Sequence, residues 1–172
     1  RLFKDRLPET PCISEWLGSI LKKGEKVGID GWVNSLHEAE DLRNGLTYYG
    51  LELETMTTDI FNTIWTNRPS LPKTPVFILD ETITGASCSD KICRIQEAIA
   101  KNGASSIILS ALDEIAWTLN LRGDDVHCNP VFISYLLISK EKHILYILEE
   151  KISDEVRGYL KSHQVEIKTY SD

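Results

Sequence analysis

Ser106-Ile107-Ile108-Leu109 constrains the fold more than any other stretch of the 172 residues. It is apolar on both faces of a pleated strand, the composition of a strand in a sheet that is covered above and below. A helix follows at once, with Leu112, Ile115, Ala116 and Leu119 at the i, i+3, i+4 and i+7 positions of one face. Another precedes it over residues 87–101, turning Ile92, Ile95 and Ile99 inward before Gly103. The rest of the chain repeats this alternation. Ser14 caps a first helix bearing Trp16, Leu17, Ile20 and Leu21, residues 26–30 form a strand, and Leu36, Ala39, Leu42, Leu46 and Tyr49 carry a second helix. Residues 51–55 alternate as a strand, and Asp59 caps a short helix through Ile60, Phe61, Ile64 and Trp65. Pro69, Pro72 and Pro75 then enforce a stiff, exposed, extended stretch before a strand at 76–79. Pro130 opens a long strand over 131–138. A turn at 139–142 makes a hairpin with 144–148, and a helix bearing Ile152, Val156, Tyr159 and Leu160 leads to a final strand at 165–168. Alternating strands and helices with one late hairpin predict an α/β fold, a mixed β-sheet flanked by helices on both faces. Trp65 and Trp117, each flanked by Ile or Leu, are expected to be buried.

Composition narrows the function. With 19 Lys plus Arg against 26 Asp plus Glu the net charge is −7, and no basic tract exists to displace counterions from phosphates, so no nucleic-acid partner is expected. No apolar run approaches the roughly 20 residues that cross a bilayer, so no membrane partner is expected either. The opening Arg1-Leu2-Phe3-Lys4 has neither an initiator Met nor a secretory signal, which predicts an internal start within a longer protein. Cys12, Cys88, Cys93 and Cys128 are too scattered for a disulfide framework and read as reduced thiols in a cytoplasmic protein.

No phosphate-binding loop, zinc helix or nucleophile elbow is complete in the chain. The glycines contain no Gly-x-Gly and no phosphate-binding loop. His37-Glu38-Ala39-Glu40-Asp41 lacks the second imidazole of a zinc helix, and Gly85-Ala86-Ser87-Cys88-Ser89 lacks the closing glycine of a nucleophile elbow. Ser87 with Asp90 reads instead as a helix cap. The densest polar cluster runs from Asn120 to Asn129, between a helix and a strand, and holds Arg122, Gly123, Asp124, Asp125, His127 and Cys128. Two readings of it stay open: Arg122 pairs internally with Asp124 or Asp125, or the loop faces a ligand or a neighbouring domain.

That segment also carries a family resemblance. Leu112-Asp113-Glu114-Ile115-Ala116-Trp117-Thr118-Leu119-Asn120-Leu121-Arg122-Gly123, with Asn129-Pro130-Val131-Phe132 and Ser134-Tyr135, resembles the Xaa-Pro aminopeptidases (aminopeptidase P). The likeness extends to Asp59-Ile60-Phe61-Asn62-Thr63-Ile64-Trp65-Thr66-Asn67-Arg68-Pro69, to Val27-Gly28-Ile29-Asp30, and to Gly85 with Lys91. Asp59 and Asn62 look exchanged relative to the family, Asp124 stands where Ser is usual, and Cys128 where Tyr is usual. The resemblance implies a creatinase-type fold: a lead-in from a preceding domain over residues 1–12, then the second N-terminal domain of the three-domain form over 13–172. It places two divalent metal ions, commonly manganese, in a catalytic pita-bread domain that is not in this chain, and so no cofactor and no catalytic residue in this fragment. It implies a non-catalytic domain that shapes the cleft of an enzyme removing an N-terminal residue before proline. Its partners are then the missing N-terminal and catalytic domains and peptides with proline second, with Arg122, Asp125 and His127 as candidate substrate-binding residues. The fragment alone is expected to be inactive. The alternatives are a peptide- or protein-binding module from a metal-free pita-bread relative, and a free-standing small-molecule-binding domain.

Overall fold

A computed structural model describes residues 3, 4 and 7 to 171. Its chain divides into two compact units between Pro69 and Ser70. The division falls where prolines hold the chain extended and remove the backbone donors a ladder would need.

The first unit is a β-α-β crossover with one further helix. Helix α1 (Ile13–Ile20) starts from Cys12, not Ser14, whose hydroxyl instead lies 3.3 Å from the Cys12 sulfur. β1 (Lys26–Asp30) and β2 (Glu52–Met56) pair in parallel, from Lys26 opposite Glu52 to Asp30 opposite Met56. Between them runs α2 (Leu36–Tyr48). Ser35 closes a capping box there: its hydroxyl accepts from the Glu38 amide at 3.2 Å, and the Glu38 carboxylate accepts from the Ser35 amide at 2.8 Å. The helices approach so closely that a Cβ on Gly18 would lie 2.3 Å from the Tyr49 ring, and one on Gly45 2.5 Å from the Ser14 hydroxyl. Asp59 accepts from the Phe61 amide at 2.9 Å and caps a 3₁₀ turn, Ile60–Thr63. The turn stops short of Trp65, which is therefore not buried: it is 48% exposed and stacks on the Arg68 guanidinium at 5.2 Å.

The second unit holds β3 (Phe77–Ile78), α3 (Glu81–Thr84), α4 (Cys88–Lys101), β4 (Ser106–Leu109), α5 (Leu112–Leu119), β5 (Leu121–Arg122), β6 (Ser134–Ser139), β7 (His143–Ile147), α6 (Asp154–Ser162) and β8 (Val165–Thr169). The strands form two sheets. β3 pairs antiparallel with β5, and the main sheet has the order β4-β6-β7-β8 with β4/β6 and β6/β7 antiparallel and β7/β8 parallel. The fold is thus mixed α/β, with the hairpin where the sequence puts it and α6 as the crossover to the parallel strand. The sequence pattern does not announce α3. It is a single turn capped by Asp80, which accepts from the Thr82 amide at 2.8 Å.

Leu136, Ile138, Leu145 and Ile147 pack with Ile115 and Leu119 of α5, Ile92 of α4 and Leu160 of α6 in a single core. Burial of this size is the main stabilising term, at about 1.5–3 kcal/mol for each fully enclosed aliphatic side chain. Two expectations change here. β6 begins at Ser134, because Val131 and Phe132, though buried, belong to the loop that precedes it. β4 is an edge strand of this sheet, and Ile108 is 68% exposed instead of covered.

Candidate functional site

The polar segment after α5 begins with a left-handed residue. Asn120 closes the helix at φ +51° and is itself buried. Asparagine tolerates this conformation because its short amide bonds locally. Its Nδ2 donates to the Ala86 carbonyl at 2.9 Å and its Oδ1 accepts from Lys91 Nζ at 2.5 Å. Lys91, 1% exposed, also donates to the Trp117 carbonyl at 2.9 Å and lies 4.6 Å from the Trp117 ring centroid. Among the described residues no carboxylate pairs with it. Burial first, and then the neighbouring Arg122 charge, lowers its pKa from the ordinary lysine value. Its position is helical in origin: Cys88, Lys91, Ile92, Ile95 and Ile99 lie at i, i+3, i+4, i+7 and i+11 on the inward face of α4. Burial also pushes the Cys88 thiol up to about 12.

Trp117 lies between Ala116 and Thr118, and because Ile115, Ala116 and Leu119 take the core side of α5 it is left 44% exposed, not buried as expected. Its ring roofs the Lys91 ammonium instead.

Arg122, in β5, pairs with neither Asp124 nor Asp125. Its Nη1 donates to the carbonyls of Ala116 and Leu121, both at 2.8 Å. It therefore braces the C-terminal end of α5, where the helix dipole favours a cation and the Ala116 carbonyl also accepts from the Asn120 amide. The rest of the fork has no hydrogen-bond partner among the described residues. Gly123 follows because nothing larger fits: a Cβ there would lie 2.8 Å from that of Phe132.

Asp125 is internal. Its side chain and that of Lys151 are both fully buried and form an ion pair, and its second oxygen accepts from the Ile133 amide at 2.6 Å. The Asp125 amide donates to the Val131 carbonyl at 3.1 Å, and the Lys151 ammonium also reaches the Thr74 carbonyl at 3.5 Å. One carboxylate thus fastens the loop to β6's approach and to the 3₁₀ turn Glu149–Lys151. His127 is exposed at the loop's tip, where Val126 and Asn129 bridge and Cys128 adopts φ +61°. The three candidate residues are therefore not one constellation. Arg122 braces a helix end, Asp125 is consumed by a buried pair, and His127 stands at the surface. Sequence reasoning missed Lys91 and Lys151 as parts of this assembly. The inward register of Lys91 on α4 was the available signal for the first; none was available for the second.

Among the described residues no three His, Cys, Asp or Glu side chains cluster to hold a metal ion. No described helix is long and apolar enough to cross a membrane. The elements define a mixed α/β module whose Arg-Gly loop is buttressed by two buried lysines. The profile of the Creatinase/Prolidase N-terminal domain matches residues 67–172, and the chain belongs to that family. It is 36% identical to a probable Xaa-Pro aminopeptidase P of Sordaria macrospora, over 99% of this chain and 28% of that protein. It is also 36% identical to Xaa-Pro aminopeptidase 1 of Dictyostelium discoideum, over 94% of this chain and 27% of that protein. The crystal structure of an X-prolyl aminopeptidase from Caenorhabditis elegans, a cytosolic enzyme with a di-nuclear active site, superposes with a TM-score of 0.87 at 27% identity, over 99% of this chain and 28% of that one. The chain thus spans a little over a quarter of the relatives it matches.

Proposed function

We propose that the chain is a non-catalytic N-terminal part of a cytoplasmic, metal-dependent Xaa-Pro aminopeptidase, helping to shape the cleft of an enzyme that removes an N-terminal residue preceding proline. The observation that carries this reading is the match of nearly the whole chain, in sequence and in backbone, to about 28% of such enzymes. In this reading residues 70–172 are a creatinase-type middle domain, and residues up to 69 lead into it from a preceding domain. The metal pair, manganese by family habit, is held outside this chain, where it would supply a nucleophilic hydroxide and charge stabilisation. Isolated from that centre, the fragment does not hydrolyse peptides.

What this chain supplies is a fixed loop. The Lys91, Asn120 and Asp125 anchors hold Arg122 and His127 in place, so that the unbonded part of the Arg122 fork is presented without reorganisation to a peptide carbonyl or to a carboxylate of the catalytic domain. In the intact protein Arg122→Ala is expected to lower kcat/KM for a peptide with proline second by roughly 10- to 100-fold, about 1.4–2.7 kcal/mol of transition-state binding, with metal content unchanged. Unchanged kinetics with a loss of stability would confine Arg122 to bracing α5.

A further inference from the structure

Arg122 lies in a strand too short to hold its own register. β5 pairs with β3 through Phe77 opposite Arg122 and Ile78 opposite Leu121, and the Leu79 amide adds one bond, donating to the Asn120 carbonyl at 2.8 Å. An isolated ladder of this kind is marginal at best. What fixes it lies on its two flanks, and both flanks meet at Lys151. Ahead of β3, Pro75 keeps Thr74 extended, and the Thr74 carbonyl lies 3.5 Å from the Lys151 ammonium. The Val76 amide donates to the Lys151 carbonyl at 3.0 Å. Three residues after Arg122, the Asp125 carboxylate pairs with the same ammonium and accepts from the Ile133 amide at 2.6 Å. The turn that carries Lys151 is itself tied down, by Lys73 to Glu150 at 2.7 Å and by an ion pair between Arg157 and Glu149.

The chemistry of the pair points the same way. A buried lysine and aspartate carry a desolvation cost that an apolar pair of similar volume avoids, so stability alone does not call for charge at this place. What the ammonium adds is direction, with three donors to set toward a carboxylate on one flank and a carbonyl on the other. We propose that Lys151 is a positioning residue for the aminopeptidase reaction, acting on Arg122 through both flanks of its strand. This rests on the reading of Arg122 as the group presented to the peptide or to the catalytic domain. Lys151 itself touches no substrate. It sets the register in which the Arg122 fork is delivered, and an aliphatic side chain in its place fills the space without aligning the strand.

The test measures kcat/KM for a peptide with proline second, on the full-length protein, for Asp125→Leu with Lys151→Met, for Arg122→Ala, and for all three changes together. Urea midpoints and metal content are determined alongside. The apolar pair leaves no orphaned charge, so it is expected to fold with a midpoint close to that of the unaltered protein. It is nevertheless expected to lower kcat/KM by roughly tenfold, with metal content unchanged. Added to Arg122→Ala, it is expected to cost less than about a further twofold, because both changes remove one and the same contribution. An undiminished kcat/KM in the folded apolar pair overturns the proposal, and so does a triple variant in which the two losses multiply. If the apolar pair does not fold, Lys151→Met alone decides by the same two comparisons, at a temperature where its urea melt shows it native. A loss in Arg122→Ala with none in the apolar pair defeats this inference alone. Unchanged kinetics in Arg122→Ala defeat the reading of Arg122, and this inference with it.

Discussion

Removing the Asp125 carboxylate should cost more stability than any substitution at the loop's surface. The side chains of Asp125 and Lys151 are 0% exposed, so Asp125→Ala leaves an ammonium in the interior with only the distant Thr74 carbonyl as a partner. Breaking a buried pair from one side costs about 3–5 kcal/mol, because the remaining charge is not rehydrated. The Ile133 amide also loses its acceptor, a further contribution that is not additive with the first. Against a total stability on the order of 5–15 kcal/mol, such a loss moves a urea midpoint far outside error. Lys151→Met should cost less than Asp125→Ala, since the orphaned carboxylate keeps the Ile133 amide. The double variant should recover about 1–3 kcal/mol relative to the sum of the singles. Urea unfolding followed by circular dichroism, with the slope checked for constancy, gives all three values. Single losses under about 1 kcal/mol, or strictly additive ones, would show that the pair does not hold the loop, and Asp125 would return to the list of residues available to a substrate.

Two further outcomes follow from the core beside it. The folded state keeps the Cys88 proton up to about 12, whereas an unfolded thiol releases it near 9.0, so stability should fall as pH rises through that window; Cys88→Ala should flatten the fall, and an unchanged pH profile of unfolding would refute the assignment. Trp117→Ala should cost about 1–2 kcal/mol, below the roughly 3–5 kcal/mol of a fully enclosed tryptophan, because what it removes is mainly the roof over Lys91; a loss above about 3 kcal/mol in a denaturant melt would place the ring in the core after all.

Periodicity made most of the fold legible. Leu112, Ile115, Ala116 and Leu119 announce α5, and the hairpin and its crossover helix follow from Val131 to Lys168, because those elements bury one face and repeat at a fixed spacing. The division after Pro69, the single turn at Glu81–Thr84 and the two-residue pairing of β3 with β5 have no period to show. The site was legible as a place but not as a set of bonds. Arg122, Asp125 and His127 lie in one polar segment, yet their partners are the Ala116 carbonyl, Lys151 and solvent. A lysine in sequence reads as surface, and only tertiary packing reveals that Lys91 and Lys151 are buried. β4 is the instructive case, since its sequence describes a strand covered on both sides and its surroundings in this chain do not.

The supporting role assigned to this chain is tested most directly by one comparison of peptide hydrolysis. A peptide with proline second is incubated with the full-length protein and with residues 1–172 alone, each after chelation and again after adding back a divalent metal. The account predicts metal-dependent release of the N-terminal residue by the full-length protein and none by the fragment under either condition. Turnover by the fragment, or a full-length protein that binds such peptides without ever cleaving them, would contradict it.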